Sequence, residues 1–306
     1  MMVTVFVVCF AVAVATAAFT VFVNRRFFDP DQKNTGDPVM KTADRCFVFY
    51  KDGRTLDSTV PCGGRGTLRG AIWNEHGEKG IIVLAHGMGN SAAWYLPEIF
   101  AFAGMGYEVF AFEYHGYDGN GDFCGFPRAV IDVEDAIGFI SDGKRPLFLI
   151  GHSMGGYAVS AAAGMTRKPV AGVVAYAPFD RPDEAVTETA KSMRHPRLIA
   201  AVLNTAQFLA FGGRSRLSAT AMLNRADVPT LIIKGSADAE VTPDGCSLYA
   251  HRDRVRTPRV AFKVVSAAES NGHMTVVRRK DKRSEVNPDT FPAVAEFIES
   301  IAAKRK

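Results

Sequence analysis

Residues 146–155 read Pro-Leu-Phe-Leu-Ile-Gly-His-Ser-Met-Gly, an apolar run that passes directly into the pattern Gly-x-Ser-x-Gly. Small residues follow as far as Ala163. This order predicts a strand, a sharp turn and a helix, with Ser153 exposed at the carboxyl end of a sheet. Glycines are expected at 151 and 155 because a Cβ there would collide with the neighbouring helix and strand. The pattern favours a serine hydrolase over a tight glycine-rich turn with a buried serine.

Apolar strands alternate with helical segments along the rest of the chain, which predicts a mostly parallel central sheet with helices on both faces. Strands are predicted at residues 46–50, 67–73, 81–85, 107–112, 147–150, 172–177, 230–234 and 260–265. Helices are predicted at residues 94–103, 129–141 and 291–301. The interval between the strands at 172 and 230 is too long for one crossover helix, so we expect a short helical cap at about 180–222.

The amino terminus carries an apolar run at residues 3–23 that contains no charged side chain. A helix of this length matches the hydrocarbon thickness of a bilayer. We predict a single-pass membrane anchor at residues 1–25, a tether at 26–45 and the hydrolase domain at 46–306. Arg25 and Arg26 favour the cytoplasmic side for that domain. A cleaved signal peptide, with export of the domain, and a buried core helix are the alternatives.

Composition excludes several other classes of function. The 306 residues carry a formal net charge of +4. The sequence contains no basic stripe with interleaved aromatic residues, so nucleic-acid binding is not expected. The densest basic run, Arg-Arg-Lys-Asp-Lys-Arg at residues 278–283, is expected to be a solvated surface loop. The five cysteines lack Cys-x-x-Cys spacing, so no metal site is expected, and Cys46, Cys62, Cys124 and Cys246 could be disulfides or thiols.

Ser153 needs a histidine to take its proton and a carboxylate to orient that histidine. Asp238 follows the strand at 230–234, and His273 lies in the loop after the last predicted strand. Asp180, just past the strand at 172–177, is the rival carboxylate. We predict Ser153, Asp238 and His273 as the catalytic residues.

The negative charge that develops on a substrate oxygen requires backbone N–H donors. Met154, directly after the serine, is one predicted donor. Met88 is the other, because glycines on both sides let its backbone approach the substrate. His86 is expected to pack beneath that loop and not to act as a base.

Together these segments resemble the α/β-hydrolase superfamily, in particular the branch of monoacylglycerol lipases and serine aminopeptidase-like hydrolases. The resemblance rests on the loop at 86–87, the segment at 113–117, Gly151 to Gly155, residues 235–243 and Gly272-His273. It implies hydrolysis of acyl esters or thioesters through an acyl-enzyme, without metal or organic cofactor. Membrane-anchored members of the branch act on such lipid-like substrates.

Three functions remain open at the level of the sequence. The first is an ester hydrolase acting on a small-molecule or lipid-like acyl substrate. The second is an acyltransferase with the same machinery, and the third is a non-catalytic anchored binding module. Apolar residues of the predicted cap are expected either to line an acyl pocket or to form the core of the cap itself; they are Leu203, Phe208, Leu209 and Phe211.

Overall fold

The computed structural model describes residues 14–24, 27–28, 55–58, 66–117, 125–282 and 284–304. Its strands are β1 (Thr55–Ser58), β2 (Gly66–Trp73), β3 (Ile81–Ala85), β4 (Glu108–Glu113), β5 (Leu147–His152), β6 (Gly172–Tyr176), β7 (Thr230–Gly235) and β8 (Val260–Val265). Its labelled helices are α1 (Leu96–Gly104), α2 (Phe126–Ile140), α3 (Met154–Met165), α4 (Pro182–Ala190), α5 (Pro196–Phe211), α6 (Ala219–Ala226) and α7 (Phe291–Ala303).

The described strands form one sheet in the order β1-β2-β4-β3-β5-β6-β7-β8. Strand β2 runs antiparallel to β1 and β4, and every other neighbouring pair is parallel. The central strands β3, β5 and β6 are buried along their whole length, as the continuous apolar runs predict for a sheet covered on both faces. The predicted parallel architecture is therefore confirmed.

Two apolar cores lie on opposite faces of this sheet. One contains buried residues of α2, α3 and α6, and the other contains buried residues of α1 and α7. Because all six parallel strands end at one edge, the loops that follow β3, β5, β6, β7 and β8 meet there. That edge holds the side chains predicted to carry the chemistry.

The interval between β6 and β7 holds three helices with different partners. Helix α6 packs against α3 and so covers the sheet, whereas α4 and α5 pack against each other. Leu203 and Phe211 of α5 are buried in the hydrophobic core, and Phe208 and Leu209 are half exposed or more. None of the four side chains lines the cavity that contains Ser153, so of the two alternatives the acyl pocket is not found and burial in the core applies to Leu203 and Phe211.

The predicted amino-terminal anchor lies partly outside the described residues. Residues 14–24 are helical, and in the described part of the chain no helix is long and apolar enough to cross a membrane. Of the predicted tether, Phe27 and Phe28 are described, and both are buried in the hydrophobic core. The predicted strand at 46–50 falls outside the described residues, and so do Cys46, Cys62 and Cys124; Cys246 is a free, buried thiol.

Candidate active site

The turn between β5 and α3 holds Ser153 in a backbone conformation that side chains rarely adopt. Its φ is 55° and its ψ is −116°, and its amide donates to the carbonyl of Tyr176 over 2.8 Å. A Cβ at Gly151 would lie 2.3 Å from the carbonyl oxygen of Gly155, and one at Gly155 would lie 2.1 Å from that of Ala85. Both glycines are therefore required by close backbone approach, and the turn presents Ser153 at the sheet edge.

The structure brings Ser153, His273 and Asp238 together in one hydrogen-bonded row. The Oγ of Ser153 lies 2.9 Å from Nε2 of His273, and Nδ1 of His273 lies 2.9 Å from Oδ2 of Asp238. These distances fit a hydroxyl that donates to the imidazole and an imidazole that donates to the carboxylate. The predicted trio thus meets across 120 residues of sequence.

Asp238 is buried and accepts hydrogen bonds at both carboxylate oxygens. Its Oδ1 accepts from the amides of Glu240 and Val241, and its Oδ2 accepts from His273 and from Nζ of Lys234. Burial raises the pKa of this carboxyl, but the hydrogen bond and charge of His273, with those of Lys234, hold it well below its usual range. Asp238 is therefore an ionised acceptor at neutral pH.

Asp180, the rival carboxylate, performs a different task. It accepts from the amide of Thr220 over 2.7 Å and from the hydroxyl of Ser218 over 3.0 Å. Ser218 is also the N-cap of α6, accepting from the amide of Ala221. Asp180 therefore secures the start of a helix, where the first amides lack intrahelical partners.

The two predicted oxyanion donors belong to the serine turn and to the loop after β3. Met154 is the first residue of α3, and its amide belongs to the helix N-terminus, where backbone donors have no partner within the helix. Met88 lines the same cavity as Ser153, between Gly87 and Gly89. His86 is fully buried beneath this loop, where its Nδ1 donates to the carbonyl of Gly87 over 2.8 Å.

Tyr95 and His152 form a buried network that the sequence pattern does not reveal. The hydroxyl of Tyr95 accepts from the amide of Gly87 and lies 2.8 Å from Nδ1 of His152, whose Nε2 lies 3.1 Å from the carbonyl of His273. Burial raises the pKa of Tyr95 far above its ordinary value, so the hydroxyl stays protonated and donates to His152. The network joins the loop of Met88 to the loop of His273.

A cavity of about 970 Å³ opens beside Ser153 and His273. Its apolar wall includes Phe27, Phe126 and Phe179. The cavity is also lined by residues 278–280 of the basic run. Arg278 is buried, hydrogen-bonded to Glu98 and stacked on Trp94. The expectation of a wholly solvated loop is therefore wrong at Arg278, because a carboxylate and an aromatic ring compensate its burial.

The sheet order, the strained serine turn and the loops at the carboxyl edge identify the architecture. The chain has the α/β-hydrolase fold. Residues 76–216 of the chain match the family model described as serine aminopeptidase, S33. No curated protein matches the chain.

Solved structures with this fold include two esterases and a bromoperoxidase. The esterase Pf2001 of Pyrococcus furiosus is 16% identical, with a TM-score of 0.56 over 81% of this chain and 91% of the esterase. A thermophilic esterase of Thermogutta terrifontis is 18% identical, with a TM-score of 0.56 over 82% and 99%. The bromoperoxidase of Bacillus anthracis is 16% identical, with a TM-score of 0.56 over 81% and 99%.

Substitution of Asp238 should affect kcat, whereas substitution of Asp180 should affect mainly stability. We expect Asp238→Asn to lower kcat for a p-nitrophenyl ester by about 10⁴-fold, because an amide no longer holds the required imidazole tautomer. Asp180→Asn should leave kcat within about twofold and lower the free energy of unfolding by about 1 kcal/mol, through a weakened helix start. Steady-state kinetics and urea unfolding of both variants check this, and equal losses of kcat would contradict it.

Proposed function

We propose that this protein is a serine hydrolase that cleaves carboxylic ester or thioester bonds through an acyl-enzyme. The observation that carries the proposal is the row formed by Ser153, His273 and Asp238, with both contacts at 2.9 Å. The family match and the esterase neighbours support an ester-hydrolysing enzyme.

Each residue has a defined role in the proposed reaction. The hydroxyl of Ser153 attacks the carbonyl carbon while Nε2 of His273 takes its proton, and Asp238 stabilises the imidazolium that forms. The amides of Met88 and Met154 stabilise the oxyanion. The imidazolium then protonates the alcohol or thiol as its bond to the carbonyl carbon breaks. Water next attacks the acyl-enzyme with His273 as base, and the imidazolium returns the proton to Oγ of Ser153 as the carboxylic acid leaves.

The aromatic wall of the cavity favours an acyl group with an extended apolar chain. Phe126 lies between the two other rings that line this wall, with its centroid 4.7 Å from that of Phe179 and 6.4 Å from that of Phe27. Such a wall removes apolar substrate surface from water, which favours binding by about 25 cal/mol per Å². We therefore expect lipid-like acyl esters to be better substrates than acetates.

Ser153 should be the residue that a fluorophosphonate probe modifies. We expect Ser153→Ala to abolish labelling and to lower kcat by about 10³-fold or more, because the nucleophile is removed. Ser160→Ala is the matched control, since Ser160 is buried in α3 with its hydroxyl donating to Gly156. Mass spectrometry of the labelled protein locates the adduct, and undiminished labelling of the Ser153→Ala variant would overturn the proposed function.

We also propose that the apolar run at residues 3–23 anchors the enzyme in a membrane, with the catalytic domain on the cytoplasmic side. The support is the sequence: the run is uncharged and is followed by Arg25 and Arg26. Phe19 and Phe22 of the described helix are exposed and thus accessible to lipid.

Cell fractionation tests the anchor. We expect the intact chain to stay with carbonate-washed membranes, whereas Val8→Arg combined with Val12→Arg moves it to the soluble fraction, since each central arginine costs about 3 kcal/mol of insertion free energy. Ester hydrolysis by the released variant controls for folding. A mature chain that begins after the Ala-x-Ala segment at 15–17 would show a cleaved signal peptide instead.

A further inference from the structure

The amino-terminal segment contributes a wall of the cavity that holds Ser153. Asn24, at the end of the helix at 14–24, accepts a buried hydrogen bond from Nε2 of Gln207 on α5 over 3.0 Å. Phe27 and Phe28 are buried in the same apolar core as Phe126. The segment that the sequence marks as an anchor therefore ends inside the folded domain.

A continuous series of ring contacts connects this segment to the serine helix. The ring centroid of Phe126 lies 5.1 Å from that of Phe28, and Phe179 stacks on Tyr157 of α3 at 4.6 Å. Phe27 itself lines the cavity together with Ser153 and Met88. The rings of Phe179, Phe126 and Phe27 therefore form a connected aromatic part of the lining of the cavity that contains Ser153.

We propose that Phe27 is a specificity-determining residue that contacts the distal part of a long acyl chain. This inference rests on the proposed ester hydrolysis and deepens it. The substrate class is esters or thioesters of medium- and long-chain fatty acids, because a chain of two to four carbons fills only a small part of a cavity of about 970 Å³.

A chain-length series in the full-length protein tests the role of Phe27. We expect Phe27→Ala to lower kcat/KM for p-nitrophenyl decanoate and laurate by about tenfold and to leave the value for the acetate within about twofold. Phe22→Ala is the matched control, since Phe22 lies on the preceding helix and is 65% exposed. It should leave the ratio of laurate to acetate unchanged.

Phe27→Trp provides a second variant that keeps the aromatic core filled. The larger ring should shorten the cavity, so that kcat/KM falls for laurate and not for acetate. A laurate-to-acetate ratio that neither substitution changes would overturn the inference and leave ester hydrolysis standing. Failure of the proposed function is distinct: the wild-type protein would then hydrolyse no member of the series.

Lys234 carries a second, independent inference, because a lysine in the interior of a sheet needs compensation. It belongs to β7, is 1% exposed, and its Nζ lies 2.5 Å from Oδ2 of Asp238. The carbonyl of Val241 accepts a further hydrogen bond from the same Nζ. Lys234 thus connects strand β7 to both Asp238 and Val241, the first and last residues of the segment 238–241.

The same carboxylate oxygen accepts from His273 and from Lys234. Burial lowers the pKa of Lys234, and the negative charge of Asp238 opposes that decrease. The other charged or polar titratable groups near this pair are Glu188 and the Cys246 thiol beside Lys234, and Glu240, 4.0 Å from Nε2 of His273. His152 lies against the imidazole, with ring centroids 4.9 Å apart.

We propose that Lys234 is a positioning residue that shares the Asp238 oxygen with His273 and thereby limits how strongly that oxygen stabilises a positive charge on the imidazole. A nearby positive charge disfavours the imidazolium. Lys234 also donates to the same carboxylate oxygen, which weakens the stabilisation that this oxygen can give to the imidazolium.

The pH dependence of kcat/KM tests this role in the full-length protein. We expect the acid limb to move up by about one pH unit in Lys234→Gln and in Lys234→Met, since both remove the charge. The glutamine side chain retains a hydrogen-bond donor for Asp238 or Val241. At its new pH optimum, the Lys234→Gln variant should therefore have a higher kcat than the Lys234→Met variant. Lys263→Gln, on the adjacent strand β8, removes a lysine away from the row and should leave the limb unchanged.

Two outcomes would overturn the inference. An acid limb that stays in place in Lys234→Gln while kcat falls would show a purely structural role. An acid limb that moves to lower pH would show that Lys234 strengthens the base. Thermal unfolding and fluorophosphonate labelling of each variant establish that the folded protein is measured.

Discussion

The close approach of three backbone segments at residues 151–155 is the constraint on which the site depends. Strand β5, helix α3 and the end of β3 meet so tightly that a single Cβ at Gly155 would lie 2.1 Å from the carbonyl oxygen of Ala85. Ser153 is held at a φ of 55° by this packing and by the hydrogen bond that its amide donates to the carbonyl of Tyr176. The strain at one residue persists because the two apolar cores on either side of the sheet fix its surroundings.

The sequence was sufficient to predict the sheet, since buried parallel strands are continuous apolar runs and need no knowledge of their neighbours. It was also sufficient to select Ser153, Asp238 and His273 as candidates, because strand ends of a parallel sheet share one edge. The ends of the helices are predicted less accurately. The helix predicted at 94–103 begins as an α-helix only at Leu96, after a 3-10 turn at residues 92–95. The catalytic roles remain proposals, whereas the convergence of the three side chains is a feature of the structure.

Contacts between residues distant in sequence could not be predicted in this way. Nothing in the sequence marks Lys234 as the partner of Asp238, since a lysine at the end of an apolar strand is usually exposed. Phe27 falls in the predicted tether, because no periodic pattern in the sequence indicates the tertiary contacts that bury its ring. Arg278 was assigned to solvent because Glu98 and Trp94, which compensate its burial, are 180 and 184 residues away.

Helix α4 is attached to the segment that follows Asp238. Glu188 of α4 accepts from the amide and hydroxyl of Thr242 and from the amide of Cys246. Although burial raises the pKa of Glu188, these hydrogen bonds lower it below its ordinary value. The carboxylate that accepts them is therefore ionised at neutral pH, which strengthens the three hydrogen bonds. The position of the Asp238 carboxylate thus depends on a helix that also lines the cavity, because displacing α4 would break these three hydrogen bonds to the segment that follows Asp238.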